Sequence, residues 1–141
     1  MSLTVSILTP ERVVYESAAD FVVLPAMSGE MGILQNHLPV LAQLGLGEVR
    51  VESQGKIDIF AVLNGFAEVR DNKISIFAET AEMAEEIDAE RARQAAEKAR
   101  QALRAPASEI DLSQAEAALK RALVRLRVSD TTRRRRPPSP H

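Results

Sequence analysis

The spacing of apolar and polar positions changes once along the chain, near residue 84. Before it, Val49 and Val51 alternate with Arg50 and Glu52, and Ile57 and Ile59 alternate with Lys56 and Asp58. Successive side chains of a strand point to opposite faces, so this alternation predicts half-buried strands. Runs rich in β-branched and aromatic residues predict strands over 3–8, 12–17, 20–25, 48–53, 56–63, 66–70 and 73–79. "TPE", "SQGK", "NG" and "RDNK" separate them as turns. "GEMGILQNHLPVL", residues 29–41, reads as a glycine-bearing loop with an apolar patch of Met31, Ile33, Leu34 and Leu38. Many short strands at close spacing predict an antiparallel β-sandwich over residues 1–84.

After residue 84 the period is helical. "EEIDAERARQAAEKARQALR" has no Gly or Pro and is dense in strong helix formers. Ala92, Ala95, Ala96, Ala99 and Leu103 fall on one face, and Pro106 stops the helix. Ser108 or Asp111 caps a second helix, whose stripe is Leu112, Ala115, Leu119, Ala122, Leu123 and Leu126. The short connection makes the two helices antiparallel neighbours, a hairpin over residues 85–128. The fold class is α+β. The first helix brings mostly methyl groups to the seam, and each buried carbon is worth about 0.8 kcal/mol. A hairpin held so weakly is either a plain appendage or a switching element. Residues 129–141, "SDTTRRRRPPSPH", read as a disordered basic tail.

Charge follows the same divisions. Residues 1–84 carry eleven acidic and five basic side chains, a net of −6. Residues 85–128 carry a net of +1 and residues 129–141 a net of +3, against −2 for the whole chain. The asymmetry predicts different partners for different segments. There is no Cys and there are only two His, which argues against disulfides, thiolate chemistry and the usual zinc sites. No run approaches the roughly 20 apolar residues of a membrane span, and no signal peptide is evident. The expectation is a soluble intracellular protein.

Glu30 and His37 are the residue types of proton chemistry, but neither has an orienting partner nearby, and no catalytic residue is assigned. No phosphate-binding loop, nucleophile elbow or metal-ligand spacing occurs. On the first helix Asp88, Arg91, Ala95, Lys98 and Ala102 form one stripe; on the second, Gln114, Ala118, Arg121 and Arg125 form another. From spacing alone these are solvated charged faces. Alternatives from other classes are a nucleic-acid-binding module using the arginines and a small β-sandwich enzyme using His37. The acidic first 84 residues and scarce aromatics speak against the first.

"GEMGILQNHLPVL", "NGFAEVRDNKISIFAETAE", "IDAERA" and "AEAALKRALVRL", in that order and spacing, resemble the epsilon subunit of bacterial F-type ATP synthases from about Leu3 to Val128. The resemblance implies a non-catalytic central-stalk subunit of a proton-translocating ATP synthase. It implies binding to gamma and the c-ring through the sandwich, and inhibition of ATP hydrolysis through the C-terminal helices. It places the protein peripherally on the cytoplasmic face of the bacterial inner membrane, with no nucleic-acid partner.

The same resemblance implies residue roles. Glu30, Met31 and His37 fall on the c-ring side, where Gln35-Asn36 stands in place of the usual Pro-Gly. Lys120, Arg121, Arg125 and Arg127 supply the positive charge that meets a beta subunit when the hairpin extends. Glu82, Ile87, Asp88, Arg91, Arg121 and Arg125 match the regulatory ATP site of some relatives. Lys98 replaces one arginine of that site, and Ala102 and Gln114 replace two more, which implies weak ATP binding at most. No other cofactor and no metal are implied.

Overall fold

The computed structural model describes residues 3–105 and 108–135, with side-chain positions through Asp130. The chain divides into two compact units, residues 1–83 and 84–141.

The first unit is a β-sandwich built from eight strands. In chain order they are β1 (Leu3–Leu8), β2 (Val13–Ala19), β3 (Phe21–Ala26), β4 (Gly29–Leu34), β5 (Val40–Leu44), β6 (Gly47–Ser53), β7 (Lys56–Arg70) and β8 (Lys73–Met83). All pairings are antiparallel except β1 with β8, which is parallel. Alternate residues of β1, β6, β7 and β8 turn inward, so Val5, Ile7, Val49, Val51, Val62, Val69, Ile74 and Ile76 form one apolar core with Val22, Leu24, Ile33 and Phe60. At the edge of this core the Tyr15 hydroxyl donates to Asp58 at 2.9 Å while its ring stands edge-on to Phe60. Burial pushes the Tyr15 phenol up from its ordinary value, Ser17 opposes this, and the Asp58 carboxylate adds to it.

Two sequence expectations change here. The stretch expected as a loop, residues 29–41, holds strand β4 and the start of β5. Its pattern is obscured because Gly29, Gly32 and the exposed Leu34 interrupt the alternation, while pairing with β3 supplies every ladder contact from Gly29 to Leu34. The expected patch shrinks accordingly: Ile33 is fully buried and Met31 packs against the core, leaving Leu34 and Leu38 exposed. Asn64-Gly65 is likewise no chain reversal, because β7 runs through it.

Gly65 is instead a corner. β7 reads β5 and β6 in one register, interrupted only at Gly45–Leu46 opposite Leu63–Asn64. Its register with β8 runs on both sides of the same level, where Asn64 and Glu79 are left unpaired. The ladders of β7 with β5, β6 and β8 are thus all interrupted at one level, where a glycine suits a bend. Asn64 and Gly65 take φ of 47° and 138° to make the bend.

The second unit begins with a single 3-10 turn, Ala84–Glu86, followed by α1 (Ala89–Arg104) and α2 (Glu109–Arg135). Asp88 caps α1 by accepting the Arg91 amide, and Ser108 caps α2 by accepting that of Asp111. α1 and α2 pack together, and the 3-10 turn packs against α2. Every buried residue of α1 is an alanine: Ala89, Ala92, Ala96 and Ala99. Ala95 is exposed, and on α2 Leu112 and Leu123 are exposed while Ala115, Ala122, Val128 and Ser129 are buried.

The first part of the stretch expected as a disordered tail is helix. α2 continues through Arg135, because Val128 and Ser129 are buried and nothing before Pro137 breaks a helix. Pro106, expected to end α1, and residues 136–141 lie outside the described residues.

Candidate functional site

Strand β4 and the turn after it carry the first group of candidate residues. Glu30 is the second residue of β4 and His37 lies three past its end, so the strand holds them apart. From Glu30 to Leu34 alone the backbone runs about 13 Å. Glu30 faces Arg50 of β6 at 3.8 Å, and the Arg50 Nε, itself buried, sits 3.7 Å from Glu48. These are ion-pair distances, too long for good hydrogen bonds. His37 turns onto its own backbone, with Nδ1 2.7 Å from the Leu38 carbonyl oxygen. The pair is not assembled as a catalytic dyad, and among the described residues no cluster suited to a metal ion occurs.

The turn itself is well defined. The His37 amide donates to the Leu34 carbonyl at 3.2 Å, and Asn36 takes a φ of 66°. A turn with positive φ at its third residue favours Gly or Asn there. Asn36 thus meets the backbone demand that a glycine would meet. Leu38 is 78% exposed and Leu34 60%.

The second group lies on the hairpin, apart from Glu82, which is half-buried on β8 of the first unit. Ile87 is buried, and Asp88 spends its carboxylate on the α1 cap. Arg91 and Lys98 are exposed on α1. A groove of about 520 Å³ opens between α1 and α2, lined by alanines together with Lys98, Asp111 and Gln114. Ala102 lines the same groove. The structure therefore gathers the three replaced positions, Lys98, Ala102 and Gln114, in one place. Lys98 and Asp111 are the charged residues of the lining, one of each sign.

Lys120, Arg121 and Arg127 are exposed on α2 and Arg125 is half-buried. At 3.6 residues per turn, Lys120 shares a face with Arg127, and Arg121 with Arg125 about 130° round the helix. The four cations form two rows.

Sequence reasoning missed three features. One is Arg50, whose only signal is a lone arginine in an alternating strand. Another is the exposed stacked pair Phe66–Phe77, with ring centroids 5.0 Å apart on neighbouring strands. The third is Asn72, in the β7–β8 turn, whose side chain accepts the Asn36 amide at 2.7 Å.

Fold and candidate sites together define a two-part class: a small β-sandwich continued by a capped helical hairpin. Comparison with known proteins makes this specific. The family model for the β-sandwich domain of the ATP synthase delta/epsilon chain matches residues 2–84, and that for its long alpha-helix domain matches residues 85–130. The chain belongs to the ATP synthase delta/epsilon chain family. The ATP synthase epsilon chain of Symbiobacterium thermophilum is 48% identical over 130 residues, 92% of each chain. That of Desulforamulus reducens is 44% identical over 124 residues, 88% of this chain and 94% of the relative. A chain in the cryo-EM structure of the Euglena gracilis mitochondrial ATP synthase, OSCP/F1/c-ring in rotational state 1, superposes with a TM-score of 0.78. It is 29% identical, with 86% of this chain and 78% of that one covered. Membership makes this chain an accessory, non-catalytic subunit of the rotary enzyme. Among the described residues no helix is long and apolar enough to cross a membrane.

Proposed function

We propose that the chain is a rotor subunit of the central stalk of a proton-translocating ATP synthase, and that its hairpin restrains ATP hydrolysis. The sandwich binds gamma. The strip along β4, from Glu30 past Met31 to the turn bearing His37, meets the c-ring. This peripheral arrangement sits at the cytoplasmic face of a bacterial inner membrane.

The observation that carries the inhibitory reading is the alanine face of α1. Ala89, Ala92, Ala96 and Ala99 are its buried residues, and each brings a single methyl. Burial of methyl groups stabilises a packed helix weakly, by about 0.8 kcal/mol apiece. Such a helix is able to leave its packing for another at small cost. In the extended state the cations Lys120, Arg121, Arg125 and Arg127 of α2 meet acidic surface on a beta subunit and stop rotation. Glu82, Ile87, Asp88, Arg91, Lys98, Arg121 and Arg125 mark a regulatory ATP site of low affinity that favours the packed hairpin.

Deleting residues 85–141 is expected to raise ATP hydrolysis by the assembled catalytic head. Changing Arg121, Arg125 and Arg127 together to Ala is expected to reproduce much of that rise. Equal hydrolysis rates with the intact and shortened chains would leave the hairpin without an inhibitory role.

A further inference from the structure

We propose that Asn72, in the turn between β7 and β8, is a positioning residue for the docking turn that carries His37 and Leu38; this rests on the reading that the turn meets the c-ring. The turn over residues 34–37 is already closed by its own hydrogen bond, from the His37 amide to the Leu34 carbonyl at 3.2 Å. That bond leaves the Asn36 amide without a partner inside the turn. The Asn72 side-chain carbonyl accepts it at 2.7 Å, across two turns far apart in sequence. The return contact, from Asn72 Nδ2 to Asn36 Oδ1, is 3.5 Å, at the limit of a hydrogen bond. Its short and long members make Asn72 an acceptor first.

Asn72 is itself well anchored. Its backbone carbonyl accepts the Thr4 amide at 2.9 Å, between Leu3 and Val5, both fully buried. Asp71 and Asn72 take φ of 52° and 60°, a conformation that Asn and Asp tolerate better than other side chains. The turn of β7–β8 is thus a fixed post, and the docking turn is tied to it. Asn36 lies between Leu34, 60% exposed, and Leu38, 78% exposed. Fixing the peptide at Asn36 fixes the direction in which both leucines leave the sandwich. A loop held in its bound shape loses less conformational freedom on docking, so the tie appears in affinity.

The hydrogen bond lies at the surface, between exposed Asn36 and half-buried Asn72, and the turn has its own closing bond, so the fold does not depend on it. The test uses the full-length chain complexed with gamma, titrated over immobilised c-rings. Asn72→Gly removes the acceptor and keeps the positive φ without strain. It is expected to weaken binding about five-fold, the effect of one ordinary hydrogen bond. Asn72→Asp keeps an acceptor oxygen and is expected to stay within about two-fold of the parent. The Asn36 amide of the full chain is expected to exchange with solvent faster in Asn72→Gly than in Asn72→Asp, at an unchanged urea midpoint. Unchanged binding by Asn72→Gly, or loss of rescue in Asn72→Asp, overturns the positioning role. Leu38→Asp separates the two ideas. If it abolishes binding while Asn72→Gly binds like the parent, only the positioning role falls; if it binds like the parent itself, the docking reading falls and the positioning role with it.

Discussion

At the scale of single residues, backbone conformation decides more than chemistry does. Among the described residues, Asn36, Gln54, Asn64, Asp71 and Asn72 take positive φ at turns and at the sheet corner. Gly65 differs from these in also having no room. A Cβ there would overlap the carbonyl oxygen of Phe77 on β8, backbone that cannot step aside without breaking the ladder. Gly65→Ala combines that overlap with a φ of 138°, which disfavours any side chain. It is expected to destabilise the sandwich by about 3–5 kcal/mol, the range of a steric clash with strained backbone. Urea unfolding measures it, and a loss under about 1 kcal/mol would show that the corner yields. Asn-Gly looks the same in sequence at a hairpin turn and at a corner, so the dipeptide alone does not tell the two apart.

At the scale of elements, the helical hairpin is where resemblance and geometry meet. Its groove gathers Lys98, Ala102 and Gln114, and the charges in its lining are Lys98 and Asp111. A triphosphate needs several forked donors, and Asp111 repels it. A charge-assisted hydrogen bond contributes about 1.5–3 kcal/mol, so two missing arginines weaken affinity by roughly a hundred- to twenty-thousand-fold. Calorimetric titration of ATP into the isolated protein, with and without magnesium, is expected to give weak heat or none. A low-micromolar dissociation constant would show that Lys98 and the remaining arginines suffice. Asp88 needs care in such a test, because its carboxylate caps α1. Asp88→Asn preserves capping while removing charge, whereas Asp88→Ala costs about 1 kcal/mol of helix stability whatever it does to ATP.

At the scale of the whole molecule, the two units have unequal means of holding themselves together. The sandwich core runs from Leu3 to Ala81 and includes Phe60, Leu24, Ile33 and Leu44, all nearly or fully inaccessible. The buried face of α1 has only methyls. Residues 1–84 alone are therefore expected to unfold in one cooperative transition and still to bind gamma. A non-cooperative melt would move the boundary between the units. A cooperative melt without gamma binding would place that partner's contact on the hairpin instead.

The sequence alone determined the change of architecture near residue 84, the helical hairpin, the cap of its second helix as Ser108 or Asp111, and most of the strands. Each of these is written in local periodicity, in helix propensity or in a capping side chain a few residues away. The order of four motifs also carried the family. What lay beyond it depended on neighbours distant along the chain. β4 is a strand because β3 lies beside it, although Gly29 and Gly32 weaken its pattern. β7 passes straight through Asn64-Gly65 because β8 pairs with it on both sides. α2 outlasts its apolar stripe because packing buries Val128 and Ser129. Glu30 and His37, seven residues apart, are separated by the strand between them, while Asn36 and Asn72 are joined by a 2.7 Å hydrogen bond. A local pattern records what a residue prefers; pairing and packing select among those preferences, because only the folded chain brings the partners within range.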